Sequence, residues 1–70
     1  MSQWELVLAY IKAHGSITSL QAVTDLGIID LAGRVRDLRH RGFQIIATPE
    51  TGKNRYGDKC RYVRYSFNGM

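Results

Sequence analysis

Apolar residues recur at helical spacing up to about Gly42 and alternate with polar ones from Phe43 onward, so the pattern predicts helices followed by strands. Trp4, Val7, Leu8 and Ile11 fall at i, i+3, i+4 and i+7, a single apolar stripe. Ser2 and Glu5 form a capping-box pattern before that stripe and Gly15 supplies a left-handed stop after it, which predicts a first helix over residues 3–14. Thr18 with Gln21 repeats the capping box, and Ile17 stands where it can pack on Ala22 as a hydrophobic staple. A second helix is expected from Ser19, with Leu20, Val23 and Leu26 on its buried side and Gly27 at its end. About two turns of helix cannot stand alone in water, so this element must be held by its neighbours. Leu31, Val35 and Leu38 lie within about 60° of one another on a helical wheel, predicting a third helix over residues 29–41 that stops at Gly42. The link "GII" is short enough to force the second and third helices to cross steeply.

The later period is two. Phe43, Ile45 and Ala47 alternate with Gln44, Ile46 and Thr48 until Pro49 closes the run. In "RYVRYSF", residues 61–67, Val63, Tyr65 and Phe67 share one face while Tyr62, Arg64 and Ser66 share the other. The two runs are expected to pair as an antiparallel hairpin, joined by the flexible basic loop "ETGKNRYGDK", with "NGM" frayed at the end. No repeat, linker or low-complexity tract divides the 70 residues, which are expected to form one domain with a thin core.

Charge adds a direction to this picture. The net charge is +4, but residues 1–33 hold one base against three acids, whereas residues 34–70 hold nine bases against three acids. Basic charge concentrated in one half fits a nucleic acid better than an anionic membrane or an acidic protein. No apolar run approaches the roughly 20 residues of a bilayer span, and "MSQWELVLAY" lacks the features of a signal peptide, which points to the cytoplasm. Cys60 is the only cysteine, so an internal disulfide is excluded and the residue reads as a small strand side chain.

Helix, short helix, tight turn, basic helix and a hairpin with a basic loop is the α+β order of a winged helix-turn-helix: three helices followed by a two-stranded antiparallel wing. The stretches "LVLAYIKAHGSITSLQA", "LGI" followed by "LAGRVRDLRHRGFQI", and "RYVRYSF" resemble a family of small winged helix-turn-helix proteins of phage and prophage genomes. The resemblance covers nearly the whole chain and implies a partner in double-stranded DNA, with a role in regulating transcription, excision or replication. Asp30 departs from it, since an acid at that point weakens attraction to phosphate.

Opposite the core stripe of the third helix lie Ile29, Gly33, Arg36 and His40, the face expected to enter a major groove. Arg36 can present two parallel donors to guanine O6 and N7, or simply be a solvated arginine. Gly33 would bring the backbone close to the groove, and His40 could donate to a base or phosphate. Arg34 and Arg39 flank the stripe, with stems packed on neighbouring elements and guanidinium groups free for phosphates or for carboxylates such as Asp30. Arg39 reads as structural. Arg41 complements the helix dipole and is equally placed for a phosphate. Asp37 reads as an intrahelical partner of Arg34 and Arg41 rather than an acceptor from cytosine N4. At the start of the second helix, Thr18, Ser19 and Gln21 surround free amides that can hold a phosphate, although capping alone explains Thr18 and Gln21. In the wing, Lys53, Arg55 and Lys59 face only Asp58 as a nearby acid, and Tyr56 can lie along a sugar or base edge.

Catalytic chemistry finds no support, because His14 and His40 stand on different helices without acids or thiols at ligand spacing and no phosphate-cradling loop is present. Neither an enzyme, nor a cofactor, nor a metal is expected. The competing reading is a winged-helix adaptor that binds a protein through exposed Ile46, Tyr56 and Tyr62. No long dimerisation helix is visible, so a monomer or a weak homodimer formed on DNA is expected.

Overall fold

Every helix begins where a side chain substitutes for a missing backbone partner. In the computed structural model, which describes residues 1–53 and 55–67, helix α1 spans Gln3–His14, and the Glu5 carboxylate accepts from the Ser2 amide at 3.1 Å and from its hydroxyl at 3.0 Å. Gly15, at φ 89°, ends α1 and donates to the Ile11 carbonyl. Helix α2 spans Ser19–Leu26 behind a complete capping box: Thr18 Oγ1 accepts from the Gln21 amide at 3.3 Å, and Gln21 Oε1 accepts from the Thr18 amide at 3.0 Å. Helix α3 spans Leu31–His40, and Asp30 Oδ1 accepts from the Gly33 amide at 3.0 Å.

That last contact changes two expectations. The third helix begins after Asp30, leaving Ile29 in the turn rather than on the helical face. Gly33 lies opposite the core stripe, yet it is buried, because the capping carboxylate of Asp30 covers it. A Cβ at position 33 would collide with that carboxylate, so the glycine serves the cap and does not open the helix backbone to a groove. Asp30, which looked out of place beside a polyanion, is the group that starts the helix.

The sheet has three strands instead of the expected two. Strand β1 (Ile17–Thr18) pairs antiparallel with β3 (Lys59–Phe67), which pairs antiparallel with β2 (Ile45–Lys53), giving the order β1-β3-β2. Two residues are too few to show a period of two, which is why β1 leaves no strand pattern. Pro49 does not close β2. It sits opposite Val63 in an edge strand, where a residue without an N–H is tolerated when its nitrogen faces away from the ladder. The hairpin therefore extends well past the expected strand end, and Glu50 to Lys53 and Lys59 belong to paired strand rather than loop. Asn54 of the loop and the "NGM" expected to fray fall outside the described residues.

Val7 and Ile11 from α1, Ile17 from β1, Ala22 from α2, Ile28 from the turn, Leu31, Val35 and Leu38 from α3 and Ile45 from β2 form the core. Trp4, Leu6, Leu8, Tyr10, Leu26, Phe43, Tyr65 and Phe67 pack around it. The buried side of α2 is Ala22 and Leu26. Leu20 is 72% exposed and Val23 46% exposed, contrary to the sequence pattern, because the staple formed through Ile17 turns Ala22 inward. The Tyr10 hydroxyl, donating to Asp25 Oδ2 at 2.6 Å, ties the outer side of α1 to α2.

The coupling between Asp30 and Gly33 is measurable by urea unfolding. Asp30→Ala should cost about 1 kcal/mol as a lost cap. Gly33→Ala alone should be close to neutral, since the helix-propensity gain is offset by displacement of the cap; in the Asp30→Ala background the same change should stabilise by about 1 kcal/mol.

Candidate nucleic-acid interface

The four arginines of the third-helix segment divide by what their guanidinium groups already hold. Arg39 Nη2 donates to the Ile45 carbonyl at 2.9 Å and fastens α3 to the start of β2. Arg41 lies 4.1 Å from the centre of the Trp4 ring, a cation–π contact from the end of α3 to the start of α1. Arg34 Nε stands 3.3 Å from Asp37 Oδ2, and its Nη1 donates to Gln3 Oε1 at 3.4 Å. Its acidic partner is Asp37 and not Asp30, whose carboxylate is committed to the cap. Arg36 is exposed and has no partner among the described residues, and the same holds for His40. The outward face of α3 thus carries Ala32, Arg36 and His40, with Ile29 exposed just before the cap.

At the start of α2 the polar groups are also divided. Thr18 is buried and both its hydroxyl and its amide are spent in the capping box, as is the Gln21 side-chain oxygen. Ser19 is exposed, with a hydroxyl uncommitted among the described residues.

The two faces of the hairpin differ in charge. Lys53 is directly opposite Lys59, and Thr51 is opposite Arg61, so Lys53, Lys59 and Arg61 crowd one face with no carboxylate paired to any of them. All three are exposed. By the alternation of strand residues this is the same sheet face that carries Val63, Tyr65 and Phe67, the face packed on the helices. The cations therefore continue that face outward beyond the core. Like charges directly opposite one another on a sheet are destabilising, so the row stores repulsion that a polyanion would relieve. Arg55 is exposed at the tip, between the strands. Arg61 was not among the residues expected from sequence; its parity with Lys59 and Val63 is the signal, visible once the strand is extended to Lys59.

The opposite face is electrically closed. Arg64 Nε donates to both carboxylate oxygens of Glu50, at 3.0 and 3.1 Å, and Arg64 Nη1 donates to Ser16 Oγ at 3.0 Å. Hydrogen bonds from Arg64 and Tyr62, and the Arg64 charge, hold the Glu50 carboxyl below its ordinary value; the same carboxylate raises Arg64. This network joins the edge strand β2 to the segment that precedes β1. Between it and α2 lies a cleft of about 410 Å³ lined by Thr18, Leu20, Gln21, Gly52, Lys53, Cys60, Tyr62 and Arg64. Among the described residues no group of three histidine, cysteine or acidic side chains is placed to hold a metal ion. No helix among them is long and apolar enough to cross a membrane.

A short helix crossing into a helix with an uncommitted outward arginine, followed by a hairpin with one cationic face, defines a winged helix-turn-helix, a class of DNA-binding module. The chain belongs to the winged helix-turn-helix domain family, whose pattern matches residues 2–69. No curated protein and no solved structure matches it.

The Glu50 contacts set a pH dependence. A carboxyl whose value is lowered on folding contributes stability above its unfolded value, near 4.5, and loses it as pH falls through the folded value. Thermal unfolding should therefore show Glu50→Gln least stable relative to the parent at neutral pH, with the difference shrinking as the solution is acidified below about 4.5.

Proposed function

We propose that this domain binds double-stranded DNA and acts as a small regulator of transcription, excision or replication of the phage or prophage type. In this reading α3 lies in the major groove, the start of α2 meets the backbone, and the hairpin rests on the backbone or the adjacent minor groove. The observation that carries it is the face with Lys53, Lys59 and Arg61, three exposed cations held together without a neutralising carboxylate. Membership of the winged helix-turn-helix family supports it independently.

Arg36 is the side chain for a guanine edge, with His40 one turn further on for a base or phosphate. Ser19 and the amides at the start of α2 serve the backbone, with Thr18 and Gln21 acting by keeping that helix start in place. Lys53, Arg55, Lys59 and Arg61 serve phosphates. Arg34 and Arg41 contribute field rather than direct contacts, because their guanidinium groups already hold α1. Gly33 contributes through the Asp30 cap. The domain acts as a monomer, or as a weak dimer formed only on DNA.

A second reading, docking on a protein, is favoured by one observation: Leu20 and Val23 lie exposed on α2. The two separate in a salt titration with mixed-sequence duplex. DNA binding through six or so phosphates gives a log-log slope of about −5, and Lys53→Ala or Arg61→Ala should each make that slope shallower by about 1. Arg36→Ala should weaken binding to a preferred sequence by about 1–3 kcal/mol. Absence of binding at about 50 mM salt rules the DNA reading out, since nonspecific electrostatic binding is strong there.

A further inference from the structure

Among the exposed large apolar side chains Ile29 is the most open, at 87%, and its neighbour Ile28 supplies the core at 1%. Ile29 precedes the cap of α3, the place where an apolar residue ordinarily folds back on the fourth helical position. That position is Arg34, whose guanidinium turns instead to Asp37 and Gln3, so Ile29 has nothing to fold onto. The exposed Ala32 follows in the first turn of α3, and the unpartnered Arg36 stands four residues beyond it on the same side. The entrance to the helix is thus apolar and its middle cationic.

We propose that Ile29 and Ala32 form a facet that reads the 5-methyl group of thymine, beside a guanine read by Arg36. The proposal rests on the DNA-binding reading above and adds a sequence preference to it. The thymine methyl is the apolar group that base pairs display in the major groove, and residues near the start of a groove-reading helix are the ones that meet base edges. The uncommitted arginine and the cationic hairpin face favour an anionic duplex over an apolar protein surface as the occupant of this facet. Ala32 and Ile29 precede Arg36 by four and seven residues, about 6 and 10 Å at the helical rise, so with base-pair steps of about 3.4 Å the thymine and the guanine lie about two to three base pairs apart.

The test begins with duplexes selected by the protein from a random pool, in which each thymine is then replaced singly by uracil, removing a methyl group and nothing else. At one thymine, about two to three base pairs from the guanine whose preference is lost in Arg36→Ala, uracil should weaken binding about fourfold to tenfold. Ile29→Ser should bind the thymine and uracil duplexes alike; at 87% exposure the change leaves the core untouched, which an unchanged unfolding midpoint verifies. Equal binding of every uracil duplex, a selected sequence without thymine, or a uracil penalty that persists in Ile29→Ser overturns the proposal while salt-steep DNA binding stands. Failure to bind any duplex at low salt overturns it together with the proposed function.

Discussion

Two residues between the first two helices hold the helical and sheet halves of the molecule together. Ile17 is fully buried in the core and pairs with Tyr65, while Thr18 pairs with Arg64 and shares both hydrogen bonds of the α2 capping box with Gln21. Helix α2 has eight residues, too few to persist without tertiary support, so its existence depends on being started by a residue that the sheet already fixes. The placement of α3 follows, because Gly27 at φ 69° and the buried Ile28 carry the chain directly from the end of α2 into the Asp30 cap. A small core cannot set these angles by bulk alone; here the backbone pairing of two residues sets them.

The positive charge of the chain is divided between holding the fold and facing outward. Arg39, Arg41, Arg34 and Arg64 each reach a different element from their own, by a carbonyl, an aromatic ring, a side-chain amide, and a carboxylate with a serine hydroxyl respectively. These contacts tie α1, α3, β2 and β3 together at the surface, where solvent screens each of them. What remains outward is a more ordered set: Arg36 on the helix, a row of three cations on one sheet face and Arg55 at the hairpin tip. Net charge does not locate the candidate interface; the pattern of partners defines it.

Signals carried by local chemistry were legible in the sequence. Both capping boxes, the stops at Gly15, Gly27 and Gly42 and the stripe of α3 place three helices, and α1 and α2 begin and end where those residues say. The alternation around Tyr65 placed the central strand. The failures share a physical origin in long-range packing. Strand β1 is specified by its partner across the chain and not by its own two residues. Leu20 and Val23 have the spacing of a buried stripe, but the side of α2 that turns inward is decided by Ile17 and Ala22. Gly33 looked like an open backbone because its cover comes from Asp30, three residues away and folded back over it. The separation of α3 arginines into held and free depended on where Trp4, Gln3 and the Ile45 carbonyl stand, which no helical wheel contains. Pro49 read as a strand end because the rule for proline depends on whether a strand lies at an edge.

That edge has a consequence for molecules crowded together. Strand β2 forms the outer border of the sheet over nine residues, and a long border of unpaired backbone groups is a template on which a neighbour's strand can add. Pro49 removes a donor from the middle of the border, and Lys53 closes it with a charge, so an incoming strand would find a gap and then repulsion. The residue that ends the strand pattern in the sequence is thus the one that interrupts the exposed border of the sheet.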